Sequence, residues 1–335
     1  MATTGERATI TDVAREAGVS RATVSRVMNG RDTVDPVLAE RVQQAASQLD
    51  YRPSSIARSL SLGRTQTVAV LIPELDNPMF QRVLQGFTDA CGTQGYRVLV
   101  ANTGDDAERE MATAVEARHR CDALLMVAPR ASDEALVELL PQLQPAVVLG
   151  RQPSSEIDVP SLAIDYAAGV EDAVDHLVGL GHRRLLYVAG PAVSSSNRHR
   201  LEGLERARGR HTGLTIDTLP GGAHLEDGHG VARRVADHGA TGVVVYNDLM
   251  AFGLLAGLAE LGVRVPDELS VVGFDDIALA QYAHPALTTL AVPHVELGER
   301  AWTRLAALLS RDDEPRAKPY RPSLVVRHST TAPRT

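Results

Sequence analysis

Residues 10–30 read ITDVAREAGVSRATVSRVMNG, and this stretch sets the reading of everything before the first strand. Thr11 is placed to cap a helix carrying Val13, Ala14 and Ala17, which Gly18 ends in a tight turn. Ser20 can cap a second helix through Thr23, Val24 and Val27 that stops at Asn29-Gly30. Asp35 followed by Pro36 offers an N-cap and a first-turn proline for a third helix through Val42, Ala45, Ala46 and Leu49. Val13, Ala14, Val19, Val24, Val27, Val42 and Leu49 would close a small core. That leaves Arg21, Ala22, Ser25 and Arg26 on the outer face of the second helix. A helix, a glycine turn and a second helix with a polar outer face is the helix-turn-helix arrangement.

Working outward, residues 51–60 read YRPSSIARSL, a weak helix of about two turns that is too short to persist alone in water. From Gln66 onward, short apolar runs alternate with amphipathic stretches. The runs Val68–Ile72, Arg97–Ala101, Ala123–Val127, Ala146–Leu149, Arg184–Ala189, Gly242–Tyr246 and Leu269–Phe274 read as strands. Phe80–Cys91, Asp165–Leu180, Leu249–Leu261 and Val295–Leu309 read as helices. Apolar strands alternating with helices mean parallel sheets covered on both faces. About 260 residues of this pattern exceed one core and predict two doubly wound lobes. The Pro- and Arg-rich tail after Arg311 reads as an irregular closing segment.

The charge distribution fits a nucleic-acid partner better than the net charge does. The chain carries −8 overall, but residues 1–64 hold nine Arg against seven acidic residues, a balance of +2. The remainder carries −10. A locally basic face can bind DNA on an acidic body, because the field that matters is local. Cys91 and Cys121 lie inside apolar segments and suggest reduced, buried thiols rather than a disulfide framework. No apolar run reaches the ~20 residues of a membrane span, and the first residues do not form a secretory signal. The expected location is the cytoplasm, without a membrane partner. A nucleophile elbow, a P-loop, an HExxH zinc motif and a Cys/His cluster are all missing, so no enzyme, metal or cofactor is expected. His224 and His229 are five apart without a cysteine partner.

The ordered set of motifs resembles the lactose-repressor (LacI/GalR) family of bacterial transcriptional regulators. It comprises residues 10–30, Tyr51-Arg52-Pro53, ARSL at 57–60, Asn77-Pro78, GHRRL at 181–185, RLEG at 200–203, Tyr246-Asn247-Asp248, VPDELSVVGFDD at 265–276 and PALTTL at 285–290. The resemblance implies an all-α helix-turn-helix headpiece (1–51) and a hinge helix with linker (52–64), followed by an α/β core of two Rossmann-like lobes, periplasmic-binding-protein-like. The N-terminal lobe would be 65–163 with 293–322, and the C-terminal lobe 164–292 with 323–335. It implies a homodimer, in some members a dimer of dimers, on near-palindromic double-stranded operator DNA. A small-molecule effector, a sugar or sugar derivative, would switch its grip as a repressor; an activator or dual regulator of the same architecture is the alternative. Leu60 resembles the lever residue that wedges into a base step, with Ala57 and Arg58 beside it. Arg21 and Ala22 match the family's variable reading positions, and Arg26 its common arginine. Arg26 could read a guanine edge. Thr9, Thr11, Thr23, Ser25 and Asn29 would contact phosphates and set register, and Ser20 belongs to the same DNA-binding set.

Open α/β sheets bind ligands beyond the carboxyl ends of their strands. The effector candidates are therefore Asp76, Asn77, Phe80, Asn102 and Arg151 from one lobe, and Asp165, Arg198, Arg200, Asn247 and Asp275 from the other. By family position Arg200 and Asp275 would read polar groups of the ligand, with Asn247 beside them and Phe80 packing on an apolar face. Asp165 and Asp275 equally suit helix caps, Arg198 a solvated surface, and His182 packing at a turn. The loop GGAHLEDG at 221–228 lacks the aromatic that sugar-binding relatives often carry there, offering Ala223 and His224 instead.

Overall fold

The computed structural model describes residues 8–28, 34–51, 63–151, 160–312 and 318–334. The chain divides into two units, Met1–Gln66 and Thr67–Thr335. The first holds α1 (Ile10–Ala17), α2 (Arg21–Met28) and α3 (Pro36–Gln48). The N-cap of α1 is Thr9 rather than Thr11. Its backbone N–H and its hydroxyl both donate to Asp12 Oδ2, at 3.0 and 2.7 Å, so helix formation begins two residues early and leaves Thr11 exposed in the first turn. Gly18 adopts φ +62° and ends α1, where Arg41 donates to the Ala17 carbonyl at 2.6 Å. Ser20 caps α2 by accepting from Thr23 N–H at 3.1 Å, and Asp35 caps α3 through Val37 and Leu38. Val13, Ala14, Ala17, Val24, Val42, Ala45 and Ala46 form the buried core.

The second unit contains the two doubly wound lobes that the alternation predicts. One sheet is built from β1 (Thr67–Ile72), β2 (Arg97–Asn102), β3 (Ala123–Val127), β4 (Ala146–Leu149) and β5 (Ser161–Leu162), in the order β2-β1-β3-β4-β5 and parallel throughout. Helices α4 (Pro78–Gly92), α5 (Ala107–Arg120) and α6 (Asp133–Leu143) connect its strands. After α7 (Tyr166–Gly179) the other sheet follows. It comprises β6 (Arg184–Ala189), β7 (Thr215–Pro220), β8 (Gly242–Val245), β9 (Ser270–Asp275), β10 (Thr288–Ala291) and β11 (Ser323–Val325). Their order is β11-β10-β9-β8-β6-β7. Helices α8 (Ser195–Arg210), α9 (Leu225–His238) and α10 (Asp248–Glu260) link them.

Four strands depart from the sequence pattern: β5, β7, β10 and β11 lie outside the apolar runs. The tail is not wholly irregular, because β11 pairs antiparallel with β10 and protects that edge. Strand β7 escaped the apolar-run reading because it is an edge strand whose Thr, Asp and Thr side chains reach solvent. The chain also crosses between lobes more than once. Following β10, α11 (His294–Ser310) returns to pack on α4, where Trp302 meets Phe87 edge-on at 5.9 Å. A Cβ on Gly86 would lie 2.0 Å from the Val295 carbonyl oxygen, so the two backbones meet where only glycine fits. No helix among the described residues is long and apolar enough to cross a membrane.

Candidate DNA-reading face and ligand cleft

On α2, positions 21, 22, 25 and 26 share one helical face. Arg21, Ala22 and Arg26 are exposed and Ser25 is half-buried, while Val24 on the opposite side is fully buried. A rigid helix therefore carries two guanidinium groups outward. The hydroxyls of Ser20 and Thr23 lie 2.9 Å apart and are engaged at the cap, and that of Thr9 is bonded to Asp12. This holds the Asp12 carboxyl below its ordinary range. Asn29, Ala57, Arg58 and Leu60 lie outside the described residues.

In the larger unit, strand order reverses between β1 and β3 in one sheet and between β6 and β8 in the other. At such a switch point adjacent loops leave in opposite directions and open a crevice at the strand carboxyl ends. The loops after these four strands border a narrow cleft. Glu74, Asn77, Met79 and Phe80 line it from beyond β1, and Ala128 and Arg130 from beyond β3. Across from them stand Ser196 and Arg200 after β6, Tyr246 and Asn247 after β8, and Asp275 at the end of β9, with Tyr166 and Ala223 completing the wall.

Arg200 is the chemical centre of this cleft. Its side chain is 2% exposed, and its guanidinium carbon lies 4.4, 4.7 and 4.0 Å from the ring centroids of Tyr166, Tyr246 and Phe274. Three aromatic rings hold the cation by their negative faces. Among the described residues neither Nε nor Nη1 has a hydrogen-bond partner. Asp275 is also buried. Desolvation pushes its carboxyl up to about 7 against the pull of Arg200. Its φ of +112° is a strained setting for a non-glycine residue. Asp248, fully buried behind it, accepts from Thr289 Oγ1 at 2.5 Å and Ile277 N–H at 2.9 Å, tying down the segment after Asp275. Burial and the neighbouring Asp275 raise the Asp248 carboxyl well above its ordinary value. Buried His294 lies 3.9 Å from Asp275 Oδ1, and desolvation lowers it to about 4, so it is neutral at pH 7.

Of the effector candidates, Asn77, Phe80, Arg200, Asn247 and Asp275 come together in the cleft. Asn77 and Asn247 also cap α4 and α10, accepting from Met79 and Met250 N–H, so each cap fixes a cleft side chain. The others are placed elsewhere. Asp76 and Asn102 are exposed, and Asp165 caps α7 through Ala168 N–H. Arg198, 53% exposed, lies 3.6 Å from Asp133. Arg151 is buried under the cleft wall, where it donates to Asp133 and to the carbonyls of Pro129 and Ala131. His182 packs at its turn between Thr241 Oγ1 and the Thr331 carbonyl.

Sequence reasoning missed Arg130, Tyr166 and Tyr246, whereas Glu74 and Ser196 fall in the strand-end stretches 74–80 and 194–200 without being singled out there. Applying the strand-end rule to β3 would have found Arg130, and Tyr246 directly precedes Asn247. Arg130 donates from Nε to Asp105 at 2.6 Å, while its backbone N–H donates to the buried Glu110 carboxylate at 2.8 Å. Desolvation raises Glu110, and those backbone bonds oppose it. No aromatic stands in 221–228, and Phe80, Tyr166 and Tyr246 line the cleft from three other segments. Among the described residues no three His, Cys, Asp or Glu side chains are grouped to hold a metal ion. Both cysteines are buried free thiols whose pKa burial raises, which makes them poor nucleophiles.

Comparison with known proteins agrees with both parts. The family of bacterial regulatory proteins named lacI matches residues 9–54, and a periplasmic binding protein-like domain matches residues 174–330. The HTH-type transcriptional repressor CytR of Escherichia coli (strain K12) is 31% identical over 301 residues, covering 88% of this chain and 87% of the relative. A structure of the Lac repressor dimer bound to operator and the anti-inducer ONPF superposes with a TM-score of 0.88 at 27% identity, covering 98% of this chain and 100% of that one. A LacI family regulator from Enterococcus faecium with bound ribose gives 0.72 at 28% identity, over 79% of this chain and 99% of that one. With its helix-turn-helix, its two-lobed core and relatives of this kind along most of its length, the chain belongs to the lacI family of bacterial regulatory proteins, as a DNA-binding regulator of transcription.

Proposed function

We propose that this regulator is a homodimeric repressor that holds a near-palindromic operator and is switched by a small polar ligand, a sugar or sugar derivative, bound between the lobes. The observation that carries the ligand reading is the buried Arg200 guanidinium, with two nitrogens unpartnered inside an aromatic-walled cleft. Such a group costs free energy until an acceptor meets it. A polyhydroxylated ring offers acceptors at its edge and C–H groups for the aromatic walls. The ribose-bound relative has the same lobes.

Exposed apolar side chains support the dimer. Leu99 and Val100 stand 43% and 40% exposed on edge strand β2, and Leu279 and Tyr282 are 54% and 76% exposed on the other lobe. A two-fold contact would cover both sets. The effector candidates outside the cleft wall act indirectly in this reading: Arg151 shapes the Pro129–Ala131 loop, and Asp165 sets α7. Hinge residues Ala57, Arg58 and Leu60 enter through sequence resemblance alone.

A thermal melting scan against sugars, sugar phosphates, polyols and nucleosides tests the ligand. A binder at about 100 times its Kd adds about 2.7 kcal/mol, a rise of several degrees. Silence across the panel would count against a sugar-class effector. Operator binding with and without the hit then separates induction from co-repression. On the DNA side, Arg26→Ala is expected to lose about 1–3 kcal/mol of discrimination for its base pair, ~5- to 150-fold. Binding-site selection with fluorescence anisotropy would read this, and an unchanged site preference would remove Arg26 from base reading.

A further inference from the structure

On the buried face of α5, Ala114 and Ala117 are apolar and Glu110 is not. Glu110 stands one turn before Ala114 and is 2% exposed. A carboxylate costs free energy in such a place unless hydrogen bonds meet it. The loop after β3 supplies them. Glu110 Oε2 accepts from the Arg130 N–H at 2.8 Å, and Oε1 accepts from the Ala131 N–H at 3.3 Å. Two successive backbone N–H groups form a small anion-binding concavity, filled here by the chain's own carboxylate. Ala128, which opens the loop, takes φ +46°. From the other side, Arg151 Nη1 donates to the carbonyls of Pro129 and Ala131, while its Nη2 holds Asp133 at 2.6 Å. Backbone donors and acceptors of this loop are thus engaged by buried charged side chains, which leaves the loop little freedom to turn.

What the loop presents is Arg130. Its Nε donates to Asp105 Oδ1 at 2.6 Å and its Nη1 to the Ala128 carbonyl at 3.0 Å, which leaves Nη2 outside these bonds. The side chain is 6% exposed and lines the cleft from the lobe opposite Arg200. We propose that Arg130 is a second ligand-reading guanidinium, and that Glu110 is the positioning residue that aims it into the cleft. This rests on reading the cleft as the ligand site. A ligand held by both lobes then carries hydrogen-bond acceptors on two separate edges, one for Arg200 and one for Arg130. Glu110 does not line the cleft and acts through the loop alone. By fixing where Arg130 points, it preserves a charge-assisted hydrogen bond that weakens steeply once distance or angle is lost.

The full-length wild type, Glu110→Gln, Arg130→Met and the double variant are compared in two measurements. Hydrogen–deuterium exchange without ligand reads the loop. In Glu110→Gln one carboxylate oxygen becomes an amide nitrogen that cannot accept, so a peptide over the loop should exchange about tenfold faster while one over α3 does not change. Calorimetry with D-ribose, D-glucose, their terminal phosphate esters, xylitol and adenosine reads the cleft. For a compound that binds the wild type, Arg130→Met should raise Kd ~10- to 150-fold and Glu110→Gln about three- to tenfold. The double variant should bind no more weakly than Arg130→Met, because Glu110 then has nothing left to aim. A merely structural Glu110 would instead give the product of the two single effects. That product, wild-type affinity in either single variant, or an unchanged loop in Glu110→Gln would overturn the proposal. Arg130→Met removes none of the backbone bonds to Glu110, so it decides whether Arg130 reads ligand even if Glu110→Gln does not fold. A hit whose Kd ignores Arg130 overturns the proposal alone, whereas a wild type silent to every compound overturns it together with the ligand reading.

Discussion

Arg200→Met is expected to weaken binding of the cleft ligand by ~10- to 150-fold while leaving the chain folded. The guanidinium sits among three aromatic rings with Nε and Nη1 unpartnered. A thioether side chain of similar length fills that space without burying unsatisfied donors, and such exchanges are often neutral or stabilising. The ligand loses charge-assisted hydrogen bonds worth about 1.5–3 kcal/mol, ~10- to 150-fold in Kd. Calorimetry with the ligand found by melting, beside a melt of the apo variant, separates the two effects. Weak binding with an unchanged midpoint is the expected result, and full affinity would remove Arg200 from ligand reading.

The pH of that comparison matters. Asp275 titrates at about 7, and Arg200 is the charge that lowers it. Without Arg200 the Asp275 carboxyl titrates still higher. A carboxyl raised in the folded state keeps its proton and costs stability as pH climbs towards its folded value, so the variant should match the wild type at about pH 6 and fall behind it at about pH 8.

The second large effect concerns packing. Gly253→Val should cost about 3 kcal/mol or more and lower the melting midpoint of the larger unit by roughly 6–12 °C. On α10, a Cβ at Gly253 would stand 1.8 Å from the Leu225 carbonyl oxygen, and one at Gly228 on α9 would stand 1.9 Å from the Met250 carbonyl oxygen. The two helices cross backbone to backbone, so any side chain must drive them apart. Leu225 directly follows His224 and Gly228 lies in the same first turn of α9, so the damage should reach the cleft. Gly230 on the same helix α9 meets nothing within 4 Å. Gly230→Ala should therefore add about 0.5–1 kcal/mol by ordinary helix propensity. Equal effects from both changes would contradict the close crossing.

Much of the fold was legible because the determining interactions are local. A glycine that must take φ +62°, an Asp-Pro start and an apolar spacing of three and four place the headpiece helices within a residue or two. Thr9 instead of Thr11 was the exception, since a threonine and an aspartate three residues apart can cap whichever turn the helix begins with. Fully buried strands such as Ala123–Val127 announce themselves as continuous apolar runs. The edge strand Thr215–Pro220 and the closing strand Ser323–Val325 do not, because half of an edge strand faces water and its residues can be polar.

The sequence by itself determined the headpiece, the two-lobed α/β core and the family, since ordered motifs, helix periodicity and strand runs are all local properties of the chain. It also marked Asn77, Phe80, Arg200, Asn247 and Asp275, because strand ends are where such sheets bind ligands. Only the tertiary structure decided which strand-end residues share the cleft. It drew Tyr166, Tyr246 and Phe274 around Arg200, sent Arg151 beneath the wall, and brought Glu74 to within 3.1 Å of His224 from 150 residues away. The reason is physical: burial, charge pairing and unmet hydrogen bonds arise between residues distant in sequence, and they take their values only when two sheets and their crossings set those residues side by side.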